Sequence, residues 1–319
     1  MLQNAVSSGS QTSANSKGVV DVSIVIVNFN NKKYLEPCLD SIYNAGLRST
    51  FEIVIVDNGS TDGSQDMIRA RFPEIPLLEN AKNIGLPAAC NQGMAISKGR
   101  YILLLNDDTL VNAPSFDAMI DFLDKNPTAG AVGGRLLNPD GTLQAGYTKF
   151  STLYDEFLIA CGLTGFMWEG FPSRADATEP TAVDWIGSAS LLLRPEALQK
   201  VGVLDEEYFI YGDEADLQYR LKKSGWLVYY LPNVTTIHFG GRSMDRWKRR
   251  KMVYRGKMLF FRKNYGPVQT ALLRLMLGVL SVAKMMVWVV AYPFPKWRVR
   301  AERELRSNMD VVKLCLRLA

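Results

Sequence analysis

The sequence predicts an α/β protein: a mostly parallel sheet flanked by helices, followed by a C-terminal helical extension that is both basic and apolar. Three observations carry this. Short β-branched runs alternate with amphipathic stretches from Val22 onward, as in parallel βαβ units. The runs are apolar throughout, as strands are when both faces of a sheet are covered. The charge divides sharply, with 18 Lys and Arg against 28 Asp and Glu in residues 1–241 and 19 against 4 in residues 242–319, which leaves −10 on the body and +15 on the tail.

A chain of 319 residues, 47% apolar and 22% charged, suits one large domain with an appendage or two domains. Disorder, collagen-like repeats and a minimal disulfide scaffold are excluded. Cys38, Cys90, Cys161 and Cys315 form no C-x-x-C pair, and one histidine is too few for an ordinary zinc site; reduced cytosolic thiols are expected. Residues 1–18 are polar, with neither apolar core nor basic leader, so a disordered start is expected rather than a signal peptide. The pattern then predicts strands over 23–27, 52–56, 101–105 and 131–132, with helices over 34–45, 63–71, 87–97 and 115–125 between them. Asn138-Pro139-Asp140-Gly141 is a turn sequence that breaks the regularity, and 146–182 reads as irregular. Strand character returns at 189–193 and 227–231, around a helix at 213–224. The body is expected to occupy 19–243. The extension, 244–319, opens with a basic run over 246–251, continues as a helix to 264 and contains an apolar stretch over 272–292 that Arg274 and Lys284 interrupt.

The informative polar residues gather where strands end, and in an open α/β sheet ligands sit beyond the carboxyl ends of the strands. The first strand runs into Asn28-Phe29-Asn30 and the second into Asp57-Asn58-Gly59-Ser60-Thr61-Asp62. A carboxylate there can accept from a base N–H or a ribose hydroxyl, or can simply shape a turn and cap the next helix. No G-x-G-x-x-G follows the first strand, which argues against the usual dinucleotide fingerprint. The strand at 101–105 runs into Asn106-Asp107-Asp108-Thr109. Adjacent carboxylates at a buried strand end are costly unless paired or bound to a cation; oxygen ligation suits Mg2+ or Mn2+, which complete their shells with substrate phosphates and water. Asp213-Glu214-Ala215-Asp216 is either a helix cap with acid in its first turn or a general base that the helix N-terminus keeps ionised. His238 is either a packed residue or a ligand, and Trp185 either core or a platform for a sugar ring.

Together these motifs resemble the family 2 glycosyltransferases, inverting enzymes of the GT-A fold, and most closely their rhamnosyltransferase-like branch, over residues 22–243. Asn28-Phe29-Asn30 is similar to the family's Asn-Tyr-Asn segment, Val56 to Gly63 to its Val-Asp-Asn-x-Ser-x-Asp-Gly segment, and Asn83-Ile84-Gly85 to its Asn-x-Gly segment, with Leu86-Pro87 replacing an aromatic and small pair. The resemblance implies that Asn28, Asn30, Asp57, Asn58, Asn83, Asn106 and Asp107 bind a nucleotide-diphosphate sugar. It sets Asn106-Asp107-Asp108 on the metal-binding Asp-x-Asp motif, the first acid being Asn, and His238-Phe239-Gly240-Gly241 on a His-x-Gly-Gly segment, so that Asp108 and His238 ligate Mg2+ or Mn2+. It sets Asp213-Glu214-Ala215-Asp216 on the Glu-Asp-x-Asp base motif with the first two acids exchanged. Glu214 is then the expected base, Asp213 the alternative, and Trp185 and Asp216 the expected acceptor contacts. The implied reaction moves a sugar, rhamnose being one candidate, to a glycan or lipid-linked glycan in cell-surface polysaccharide synthesis. Its rivals are transfer onto a polyprenyl or lipid phosphate, and a catalytically silent nucleotide-binding partner tethered to a membrane.

A basic tail on an acidic body calls for something anionic: nucleic acid, phospholipid or a pyrophosphate-bearing substrate. The stretch over 272–292 is long enough to cross a bilayer, but Lys284 stands in its middle and basic residues flank it. The expectation is a helix lying in the interface against anionic headgroups, on an enzyme peripheral to the inner face of the cell membrane, where a polyprenyl-pyrophosphate-linked acceptor is presented. Nucleic acid is not expected as a partner, and the alternatives for the apolar helix are a spanning helix and a core or dimer-forming one.

Overall fold

The computed structural model describes residues 20–163, 173–240 and 246–316; the expected disordered start, together with Gly241 to Ser243, lies outside the described residues. Strands β1 (Val22–Asn28), β2 (Phe51–Asp57), β3 (Leu77–Glu79) and β4 (Tyr101–Asn106) are linked by helices α1 (Lys32–Asn44), α2 (Ser64–Arg71) and α3 (Leu86–Ile96). Side chains alternate across a strand, and β1 shows the consequence. Ile24 and Ile26 enter one core with Leu35, Leu39 and Ile42 of α1, while Val25 enters a second core with Cys90 and Met94 of α3. This two-sided burial is why the strands are apolar at every position.

Beyond β4 lie β5 (Thr109–Leu110), α4 (Ala113–Lys125), β6 (Ala129–Leu137), β7 (Leu143–Ala145), β8 (Tyr147–Thr148), α5 (Leu153–Cys161), β9 (Ser173–Arg174), β10 (Thr181–Val183), β11 (Trp185–Ile186), β12 (Ser190–Leu193), α6 (Pro195–Val201), α7 (Asp213–Lys223) and β13 (Leu227–His238). The main sheet runs β10-β13-β6-β12-β4-β1-β2-β3. Its pairs are parallel except where β12, inserted between β4 and β6, and β10, beside β13, run antiparallel to their neighbours, and β5 and β7 add short antiparallel pairings to β13 and β6. The mostly parallel, helix-flanked sheet agrees with the sequence. Three details differ. The segment 146–182, expected to be irregular, contains α5 and contributes to a small sheet, β11-β8-β9. Strand β6 spans nine residues rather than two. Strand β13 continues past 231 through a register shift to His238, because β6 and β5 offer it partners that a local reading cannot see.

The extension consists of α8 (Arg246–Asn264), α9 (Gly266–Ala291) and α10 (Pro295–Leu316), with α9 and α10 packed along one another. It shares a core with the body: Tyr254, Phe260, Phe261, Leu273 and Leu277 cluster with Ala160 of α5, with Phe150 and Tyr219 packed against them. Lys257 donates to the fully buried Glu156 carboxylate at 2.7 Å, a pair whose disruption costs about 3–5 kcal/mol because the remaining charge has no water. Gly256 lies so close to the loop before α7 that a Cβ would stand 2.1 Å from the Tyr211 carbonyl oxygen. Lys284 turns inward and donates to the Ala160 carbonyl. Helix α9 is the one helix among the described residues that is long and apolar enough to cross a membrane, with mean hydropathy 1.8.

Candidate active site

The loops after β1, β2 and β4 are laced together by asparagines and aspartates. Asp57 is wholly buried; its carboxylate accepts from Asn28 Nδ2 (2.7 Å), the Ser60 N–H (2.8 Å) and Gln65 Nε2 (2.7 Å). Asn58, 2% exposed, donates to Asn83 Oδ1 (3.2 Å) and the Gly85 carbonyl (3.1 Å), and accepts from the Ile84 N–H (3.1 Å). Asp57 and Asn58, expected to contact the nucleotide, also tie these loops together, and Asn28, which donates to Asp57, keeps a buried Oδ1 without a hydrogen-bond partner. Asn30, exposed and at φ 51°, accepts from the Thr61 N–H at 2.7 Å. Asn31 Nδ2 donates to Asp107 at 2.8 Å, while burial pushes the Asp107 carboxyl up to about 8.

Antiparallel pairing of β5 with β13 sets His238 opposite Thr109, and the Phe239 N–H donates to the Asp108 carbonyl at 2.9 Å. This pairing brings His238 Nε2 to 3.1 Å from Asp108 Oδ1. Tilted packing of Phe239 against Tyr34 of α1, at 5.0 Å between ring centres, steadies the strand end. Gln144 of β7 fixes the imidazole. Its Nε2 donates to the His238 carbonyl (2.8 Å) and to Asn138 (3.0 Å), so its Oε1 accepts from His238 Nδ1 at 2.6 Å. The Nε2 lone pair therefore faces the Asp108 carboxylate and Asn106 Nδ2, which lies at 3.2 Å. Two lone-pair bearers 3.1 Å apart repel unless a proton or a cation lies between them, and a carboxylate with an imidazole whose far nitrogen is held by an amide is a donor set that fits Mn2+ or Mg2+. Among the described residues no cluster of three or more His, Cys, Asp or Glu side chains converges, so such a cation would take its remaining ligands from substrate and water.

Asp213 and Glu214 open α7 after two consecutive positive-φ residues, Tyr211 at 67° and Gly212 at 98°. For a tyrosine that conformation is strained, at a cost of about 1–3 kcal/mol, and it persists only when packing imposes it; here Gly256 and α8 lie directly behind. Asp213 is 1% exposed, with its Oδ1 lacking a hydrogen-bond partner. Burial, the adjacent Glu214 charge and a hydrogen bond shared with Glu214 raise its carboxyl well above the ordinary 3.8. The helix N-terminus was expected to keep this acid ionised; burial outweighs it. Glu214 is half-buried and accepts from the Gly212 N–H at 3.2 Å. A cavity of about 20 Å3, room for one water, is lined by both Asp213 and Asn106, which sets the start of α7 beside the end of β4. Asp216, expected to touch an acceptor, is 2% exposed and accepts from Arg220 Nε and Asn264 Nδ2, each at 2.8 Å; it braces α7 against α8. Trp185 is half-buried, its Nε1 donating to the Lys149 carbonyl at 3.2 Å. Gln218, fully buried, bonds both backbone groups of Ile186 and so holds the tryptophan's strand against α7.

Residues 23–200 match the family model described as glycosyl transferase family 2. The chain belongs to that family. This family 2 chain is 31% identical over 240 residues to N-acetylglucosaminyl-diphospho-decaprenol L-rhamnosyltransferase of Mycobacterium tuberculosis, covering 70% of the chain and 77% of the relative. It is 24% identical over 257 residues to a dolichyl N-acetyl-alpha-D-glucosaminyl phosphate 3-beta-D-2,3-diacetamido-2,3-dideoxy-beta-D-glucuronosyltransferase of Methanococcus voltae, covering 76% and 75%. In fold it is similar to mannosyltransferase PcManGT from Pyrobaculum calidifontis, solved in complex with GDP-Man and Mn2+, at TM-score 0.56 and 15% identity over 93% of this chain and 87% of that one. The family 2 motifs in the sequence located the strand-end residues. They missed Gln144, Gln218 and Gly256, whose roles come from pairing between distant segments; the turn sequence before Gln144 was the one local sign of the hairpin that carries it.

Proposed function

We propose that the protein is an inverting glycosyltransferase that moves a sugar, rhamnose by analogy with the 31% relative, from a nucleotide diphosphate to a glycan carried on a lipid diphosphate. The observation that carries this reading is the Asp108–His238 pair at the end of β4, with Asn106 beside it lining one small cavity together with Asp213. Asp108 and His238 would hold a divalent cation, which supplies positive charge against the departing diphosphate. Asn30, Asn83, Asn106 and Asp107 offer polar contacts to the donor, on loops that Asn28, Asp57 and Asn58 hold in register. Glu214 takes the proton of the acceptor hydroxyl, whose oxygen attacks the anomeric carbon opposite the leaving group. Asp213, kept protonated by burial, donates to the Glu214 carboxylate and orients it. Trp185 gives the acceptor a ring to stack on.

The extension, on this reading, lies on the inner face of the cell membrane. Leu272, Leu275, Val279, Val282, Met286 and Val290 form an exposed apolar side of α9, and the inward turn of Lys284 leaves that side without a cation. Helix α10, packed along α9, carries Lys296, Arg298, Arg300, Arg303 and Arg306 in its first twelve residues, which favours a pair lying flat over one that crosses. With nucleotide sugars and Mn2+, the full-length protein is expected to transfer sugar to a lipid-diphosphate acceptor analogue, and Asp108→Asn to abolish transfer while weakening Mn2+ binding. Turnover insensitive to both that substitution and chelator overturns the metal assignment; no turnover with any nucleotide sugar overturns the enzyme. Flotation tests the surface: binding to anionic vesicles that salt reverses is expected, and equal binding to neutral vesicles at high salt argues against it.

A further inference from the structure

Between α8, α9 and α10 lies a cavity of about 350 Å3, within the range of small-ligand sites and well above the one-water cavity at the sheet end. Lys251, Arg255 and Arg262 of α8 and Arg274 of α9 surround it, against one carboxylate, Glu207. Arg262 pairs with Glu207, and Lys251 stands 3.9 Å from Asp310; Arg255 is exposed and, among the described residues, has no carboxylate partner. Met258 and Leu259, on the same face of α8, give the cavity an apolar wall. Gathered cations repel one another, and an apolar wall beside them gains nothing from water; an anion with a hydrocarbon tail answers both. The cavity also adjoins the exposed side of α9. Leu275, the residue after Arg274, lies about 100° round the helix and is 65% exposed.

We propose that this cavity binds the phosphate-bearing head of an anionic amphiphile, with guanidinium groups on the phosphate oxygens and the first hydrocarbon units against Met258 and Leu259. The lipid source of that ligand rests on the membrane reading above; free pyrophosphate shares the head chemistry without the tail. Calorimetry on the full-length protein, without divalent cations, compares farnesyl diphosphate, inorganic pyrophosphate and farnesol. Farnesyl diphosphate is expected to bind at least about tenfold more tightly than either of the others, and Arg255→Glu to weaken it by about tenfold or more, the loss of one charge-assisted contact, with Arg255→Lys retaining most of the affinity. Pyrophosphate binding as tight as that of farnesyl diphosphate overturns the amphiphile, and farnesyl diphosphate binding unchanged in Arg255→Glu overturns the site. Unaltered circular dichroism of the variant excludes misfolding as the cause. Nucleoside diphosphate binding with Mn2+, measured on the same samples, is expected to be unaffected by Arg255→Glu; its absence from the wild type would count against the glycosyltransferase reading and leave the cavity result standing.

Discussion

Asp57 at the end of β2 and Asp213 at the start of α7 are both buried carboxylates, and the fold treats them in opposite ways. Asp57 receives three donors, one of them a backbone N–H three residues away. Asp213 keeps an oxygen without a partner beside a second acid, and its loop is strained. The first arrangement stiffens a frame, because every oxygen lone pair drawn into a bond resists movement. The second leaves a carboxyl that burial and the neighbouring Glu214 charge bias toward its protonated form. The support differs as well: α1 and neighbouring loops of the same sheet hold the Asp57 region, whereas the Asp213 region leans on a helix from the extension.

The comparison can be broken at several points. The largest effect is expected at the acid pair: Glu214→Gln should lower kcat by about 10²- to 10⁴-fold while nucleotide binding, read by calorimetry, stays within error. A larger loss in Asp213→Asn than in Glu214→Gln would move the base to Asp213. Next comes Gln144→Leu, which frees the imidazole to adopt the other tautomer; Mn2+ affinity should fall about 10- to 100-fold, and unchanged affinity would show that the Gln144 contact does not orient His238 for a cation. Gly256→Ala forces α8 away from Tyr211 and should cost about 1–3 kcal/mol in denaturant unfolding with a fall in kcat; an unchanged kcat would uncouple the extension from the base loop. The smallest effect is in pH dependence. The folded pKa of Asp213 lies above its unfolded value near 3.8, so above pH 4 unfolding releases a proton that the folded state retains, and stability falls as pH rises toward the folded pKa. Asp213→Asn should remove that share of the slope, at most about 1.4 kcal/mol per pH unit. A slope unchanged in the variant would mean that Asp213 is ionised in the folded protein.

The same contrast explains what was readable in the chain. The frame around Asp57 follows from apolar runs such as Ile53 to Val56 and from turn residues next to them, all local signals. Direction and partner are not local. Nothing in Ser190 to Leu193 says that β12 runs antiparallel between β4 and β6, and a two-residue strand at Thr109 is too short to have a period. His238 was recognisable as a residue with two possible uses, but its meeting with Asp108 depends on a pairing across more than a hundred residues. The N-terminus of α7 was read as an ionising environment because helix polarity is visible in sequence and depth of burial is not. The burial of Asp216 was unreadable for a related reason, since Asn264, which helps close it off, belongs to α8 of the extension.

The imidazole held between Gln144 and Asp108 is also the sole histidine in 319 residues. A heteronuclear spectrum of the ring nitrogens would therefore contain one pair of resonances, assigned without mutagenesis, that tells the Nδ1–H tautomer from the opposite tautomer and from the doubly protonated ring. On the metal assignment proposed above, added Mn2+ would broaden that pair and a diamagnetic Mg2+ would shift it, so the ring reports directly on whether a cation binds beside Asp108.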